Sequence, residues 1–174
     1  MSLKDRLQED LTAAMRSGDS LRRDTLRMAQ SAAYSLEKRN QRPLTEDELV
    51  GVLAREVKTR RESVEAFRAG HREDLASKEE AEIGILSEFL PQPLSEDELR
   101  DLVSSAIAET GASSARDMGR VMGVLSPRTR GRADGRRVSE LVAQALAAAD
   151  LERHEPRHPH AEPASSGGRA PGGG

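Results

Sequence analysis

Apolar residues recur every three or four positions along most of the chain, interrupted by Gly, Pro and capping residues, a pattern that predicts successive amphipathic helices. Leu3, Leu7, Leu11, Ala14 and Met15 mark the first, which stops at Gly18. Asp19 and Ser20 offer N-caps to a second, with Leu26, Ala29, Ala33 and Leu36 on its inner face and an end near Gln41. The third opens on Pro43-Leu-Thr-Glu-Asp-Glu-Leu49. Here Thr45 caps, Glu48 reaches back as its capping-box partner, and Leu44 staples against Leu49. Pro93 to Leu99 presents the same device with Ser95, Glu98, Leu94 and Leu99. The sequences that follow the two starts diverge at once, which argues for two similar helix starts rather than an internal repeat.

From Leu49 the positions Leu53, Val57, Val64 and Phe67 describe one long helix ending near Gly70, with Arg60 on the same stripe through its aliphatic stem. Arg72 to Leu90 supplies a fourth through Leu75, Ile83, Leu86 and Leu90, and Pro91-Gln-Pro93 breaks the chain. Leu99, Leu102, Val103, Ala106 and Ile107 form a fifth helix that Gly111 ends. Ser114 and Asp117 start a sixth, with Met118, Val121, Met122 and Leu125 inward and Pro127 as its stop. Val138, Leu141, Val142, Ala145 and Leu146 make the last. The expected organisation is an antiparallel bundle of about four helices over 1–91, a small three-helix domain over 92–150, and a disordered tail over 151–174, where Glu, Pro, His, Ser and Gly replace all periodicity.

Composition sharpens this to an all-α class. With one Tyr and two Phe, the apolar material is Leu, Val, Ala, Met and Ile, and interspersed charges suit solvated helix faces. The absence of cysteine removes disulfides, thiolate metal sites and cysteine nucleophiles. No run is long and apolar enough for a membrane span, and the segment MSLKDRLQEDL lacks the apolar stretch of a signal peptide, so a cytoplasmic protein is expected. No Walker loop, nucleophile elbow or HExxH spacing occurs. His71 is isolated, and His154, His158 and His160 fall in the tail. Neither a cofactor nor a metal is therefore expected, nor catalysis by the isolated chain.

The candidate chemistry is concentrated between Arg116 and Arg137. There Arg116, Arg120, Arg128, Arg130, Arg132, Arg136 and Arg137 are set against only Asp117 and Asp134, in a protein whose net charge is -3. Gly131 and Gly135 allow a tight turn from which arginines can project as bidentate phosphate partners, and Asp134 is placed to cap the last helix. Glycine inside a helix costs about 1 kcal/mol against alanine. Gly119 and Gly123, with Ala115, therefore imply close approach by a neighbouring helix, or else by a nucleic-acid backbone or a partner surface. The outer face of the second helix, with Arg22, Arg23, Arg27, Lys38 and Arg39, reads as a solvated surface or a lesser RNA contact.

The segments Gly111-Ala-Ser-Ser, Asp117-Met-Gly-Arg-Val-Met-Gly123 and Gly131-Arg-Ala-Asp-Gly135 closely resemble the signature of the YqeY-like proteins, a likeness that runs from about Ser2 to Ala149. That family shares its domain with the tail of the B subunit of the glutamine-dependent aspartyl/glutamyl-tRNA amidotransferase, whose chemistry resides in other domains and subunits. The resemblance implies a tRNA-binding or other structured-RNA-binding module, with a synthetase or amidotransferase as possible partner. The arginines at 120, 128, 130 and 132 stand where lysines are common in the family, which preserves the charge. Two alternatives stand beside it. One is a helical protein-interaction adaptor docking through the Gly119/Gly123 strip or the long third helix, favoured by overall acidity. The other is a component of a glutamine-using carbon–nitrogen ligase, which rests on family association alone.

Overall fold

The computed structural model describes residues 1–154, and among these the regular structure is entirely helical. The order is α1 (Leu3–Ser17), α2 (Ser20–Asn40), α3 (Glu46–Ala69), α4 (Glu73–Ser87), α5 (Glu96–Thr110), α6 (Met118–Thr129) and α7 (Gly135–His154), with a 3-10 turn at Ala115–Asp117 ahead of α6. The expected disordered tail is corrected at its start, because residues 151–154 continue α7. The alanine-rich run before them propagates the helix, and Arg153 in its last turn donates to the Ser113 carbonyl at 2.8 Å. From residue 155 onward that expectation lies outside the described residues.

The helix starts follow their local chemistry. Ser2 accepts from the Asp5 N–H, Asp19 from the Arg22 N–H and Ser95 from the Glu98 N–H. At Thr45 the box is complete: its hydroxyl accepts from the Glu48 N–H, and the Glu48 carboxylate accepts from the Thr45 N–H. Ser95 lacks the reciprocal bond from Glu98, and Glu96 beside it pairs with Arg137.

Two buried apolar clusters form. The first takes Leu3, Leu7 and Leu11 from α1, Leu26 and Ala29 from α2, Leu49, Leu53 and Val57 from α3, and Leu86 with Phe89 from α4 and the turn after it. Each fully buried Leu contributes roughly 1.5–3 kcal/mol over exposure. Met15, expected on the inner stripe, is 53% exposed, because Ala14 takes the buried position. The most extensive pairing is α3 with α4. It is pinned by Arg60, which does not snorkel as expected but buries its guanidinium: Nε donates to Glu82 at 3.0 Å and Nη1 to Glu56 at 2.7 Å. Helix α4 is shorter than expected, since at Phe89 and Leu90 the bonding tightens to i→i−3 turns.

The second cluster takes Leu99, Val103 and Ala106 from α5, Ala112, Val121 and Leu125 from α6 and its approach, and Val138, Leu141, Val142 and Leu146 from α7. Pro127, expected to stop α6, lies inside it. It sits in the last turn, where the missing N–H deprives only the Gly123 carbonyl, and Gly123 is exposed to water. The Arg130 N–H still bonds to the Ser126 carbonyl at 3.0 Å.

Candidate nucleic-acid interface

The seven arginines do not form one patch. Arg116 lies in the 3-10 turn ahead of α6 and Arg120 in the first turn of α6, whereas Arg128, Arg130, Arg132, Arg136 and Arg137 surround the turn between α6 and α7. The twelve residues of rise between Arg116 and Arg128 amount to about 18 Å. Linear proximity concealed this separation.

At the first end, Asp117 organises the approach to α6. Its carboxylate accepts from the backbone N–H groups of Ser113 at 2.8 Å and Ser114 at 3.3 Å, and from Arg120 at 2.7 Å. The Ser113 N–H, then Arg120, hold this carboxyl below the ordinary aspartate range. Arg116 is exposed and makes no ion pair among the described residues. Met118 and Met122 turn inward against the second cluster. Gly119 and Gly123 face solvent, and a Cβ built on either meets nothing within 4 Å. Among the described residues no neighbouring helix packs on the glycine strip, which leaves a nucleic-acid backbone or a partner surface.

At the other end most guanidinium groups are engaged within the chain. Arg128 forms a two-pronged pair with Glu109 at 3.1 and 2.9 Å, and Arg137 pairs with Glu96 and Glu140. Arg132 donates from Nε to the Gln92 carbonyl at 3.0 Å, and its own carbonyl accepts from the Leu94 N–H at 2.8 Å. The Arg130 stem lies over Gly51 of α3 in a hollow shared with Asp47, Glu48 and Arg55. Arg130 and Arg136 are both exposed, and neither guanidinium has a hydrogen-bonded or ion-paired side-chain partner among the described residues.

The acid and glycines of this turn are structural in placement. Asp134 accepts from the Arg136 N–H at 3.0 Å as the cap of α7, and from Lys58 of α3 at 3.1 Å. The Arg136 N–H and then Lys58 depress its pKa. Gly131 has φ +74, the left-handed region in which a side chain is strained, whereas Gly135 opens α7 with nothing near it.

Sequence reading named Asp117 but missed the other groups that engage these side chains. Glu140 is recoverable, since it lies three residues from Arg137 on a helix. Glu96, Glu109 and Lys58 are remote in sequence and carry no such signal. Among the described residues no group of three or more His, Asp or Glu is arranged to hold a metal. No helix among them is long and apolar enough to cross a membrane.

Fold and surface together define an all-helical protein whose candidate site is an exposed helix face and an arginine-bearing turn. More particularly, the chain belongs to the YqeY-like protein family, whose model matches residues 4–146. It is 33% identical over 148 residues to "Altered inheritance of mitochondria protein 41, mitochondrial" of Pyrenophora tritici-repentis, covering 82% of this chain and 80% of that one. A shorter match, 40% identical over 55 residues, joins it to an uncharacterised protein of Schizosaccharomyces pombe, covering 31% of this chain and 45% of that protein.

Proposed function

We propose that the protein is an accessory module that binds tRNA or another structured RNA through the outward face of α6, with Arg136 as a second point of contact. The observation that carries the reading is that Gly119 and Gly123 lie exposed on α6 with no packing partner among the described residues, flanked by Arg116 and Arg120. Such a face lets a sugar–phosphate backbone approach the helix axis while guanidinium groups at its margin meet phosphates. The scarcity of aromatic residues leaves base stacking little part and suits recognition by shape and phosphate contact. Family membership supports the same reading through the resemblance to the amidotransferase tail, and a synthetase or amidotransferase is the natural protein partner. In this proposal the chain works as two units divided at Pro91 to Pro93, a helical bundle and a three-helix module. The compartment proposed from the sequence is the cytoplasm, although the fungal relative carries a mitochondrial name.

The test is tRNA binding by the untagged chain as a function of salt. Each neutralised phosphate contributes roughly 0.7–0.9 to the slope of log affinity against log salt. Replacing Arg116 and Arg136 by Gln is therefore expected to weaken binding at fixed salt and flatten the slope by about 1.5. Arg39, exposed and without an ion pair, serves as the control. Arg22 does not, because it ties Asp10 to Glu88. Absence of salt-sensitive binding at low ionic strength defeats the RNA reading.

An adaptor role then takes its place, favoured by Met28 and Tyr34, which stand 54% and 61% exposed on α2. Participation in a carbon–nitrogen ligase rests on family association and would show as glutamine-dependent activity only in a complex.

A further inference from the structure

We infer that the turn from Arg130 to Asp134 is a docking key that fixes the orientation of the second helical cluster relative to the first, with Gly131 as its positioning residue. The helices themselves do not do this: α1 to α4 pack on one another, as do α5 to α7, while no extensive helix pairing joins the two sets. The turn supplies the missing contacts. Gly131 sits where a Cβ would overlap the Cγ1 of Val50 on α3, and would lie 3.7 Å from both Leu90 Cδ2 and Pro91 Cδ. Its neighbour Arg130 crosses Gly51, the next residue of α3, with Cδ 3.9 Å from where a Cβ would stand.

Two polar fastenings flank this seat. Arg132 grips the connecting segment in both directions, donating to the Gln92 carbonyl and accepting from the Leu94 N–H. Asp134 pairs with Lys58, two helical turns along α3 from Val50. That ion pair is about half exposed and is worth little by itself. The steric seat must therefore do most of the positioning, since packed contacts are bistable and resist continuous deformation. Val50 is β-branched and stiff at χ1, so it cannot swing away cheaply from an added methyl group.

The inference stands apart from the RNA reading. It concerns the relation of the two clusters and would survive a failure of tRNA binding. Any large partner that touches both would meet a preset surface and avoid part of the ordering cost of association.

The experiment is a distance measurement between spin labels at Ser31 on α2 and Gln144 on α7, both exposed, in a chain whose lack of cysteine allows two engineered labelling sites. The wild-type background is expected to give a narrow distance distribution. Gly131→Ala should broaden or shift it, and adding Val50→Ala should narrow it again, because the overlap is relieved while the backbone strain at φ +74 remains. A broad wild-type distribution, no change in Gly131→Ala, or no recovery in the double variant overturns the key.

Gly51→Gln guards against misfolding of Gly131→Ala. It improves the helix propensity of α3 and places a side chain under Arg130, so the circular dichroism should be preserved while the distances change. Unchanged distances in that variant also overturn the proposal.

Discussion

Replacing Gly123 by alanine tests whether the outward face of α6 is kept smooth for something outside the chain. Gly123 is in the middle of α6, faces solvent, has no positive φ, and leaves room in which an added Cβ touches nothing within 4 Å. The substitution therefore carries no steric or conformational penalty. What remains is helix propensity, which favours alanine by about 0.8–1 kcal/mol at an interior position. For a domain of this size, that gain raises the melting temperature by about 2–4 °C. Gly119 lies in the first turn, where propensity counts for less, so Gly119→Ala adds a smaller increment and the pair gains between about 1 and 2 kcal/mol. Far-UV circular dichroism melts and urea titrations read the change, with the urea slope m unaltered because no surface burial changes. A loss of stability in Gly123→Ala would refute the reasoning, since it would require a neighbour packed on that face. The decisive pattern is a gain in stability with weaker tRNA binding. Equal binding in the stabilised variant would remove the α6 face from the contact surface.

Truncating one member of the buried Arg60 and Glu82 pair should be far more costly than any surface change. Arg60→Ala, which leaves the buried Glu82 without its partner, is expected to lose about 3–5 kcal/mol, and Glu82→Ala less because Glu56 still pairs with Arg60, whereas a joint apolar replacement of Arg60 and Glu82 stays near wild type; chemical denaturation separates them, and a small loss in Arg60→Ala refutes the burial argument. The Glu48 carboxyl is lowered to about 2 by Arg42, with a further contribution from the Thr45 N–H. Because its folded pKa lies below the unfolded value, its stabilisation is full above the ordinary glutamate pKa and is lost as pH falls toward about 2. The melting-temperature gap between wild type and Glu48→Ala should therefore narrow steadily on acidification. A gap that is constant down to about pH 2 counts against this.

The sequence by itself determined the helices and where they begin. Apolar spacing, the capping residues Thr45, Ser95 and Asp19, and the glycines at 18 and 111 act within a turn or two of the backbone, and such short-range signals are written locally. The motif residues that mark the family were equally legible, because they are contiguous. Exceptions arose where two local rules competed. At Pro127 the cost of a lost N–H was small in a last solvated turn, and after Leu151 the alanine run outweighed the polar tail.

Tertiary structure alone decided what the arginines and glycines do. Arg128, Arg137 and Arg132 looked like projecting cations, yet Glu109, Glu96 and the Gln92 carbonyl, remote along the chain, consume them. Gly123 and Gly131 look alike in sequence, one in a helix facing water and the other pressed on Val50. The physical reason is that charge pairing and steric contact depend on distance in space, and helix packing sets that distance between residues separated by tens of positions.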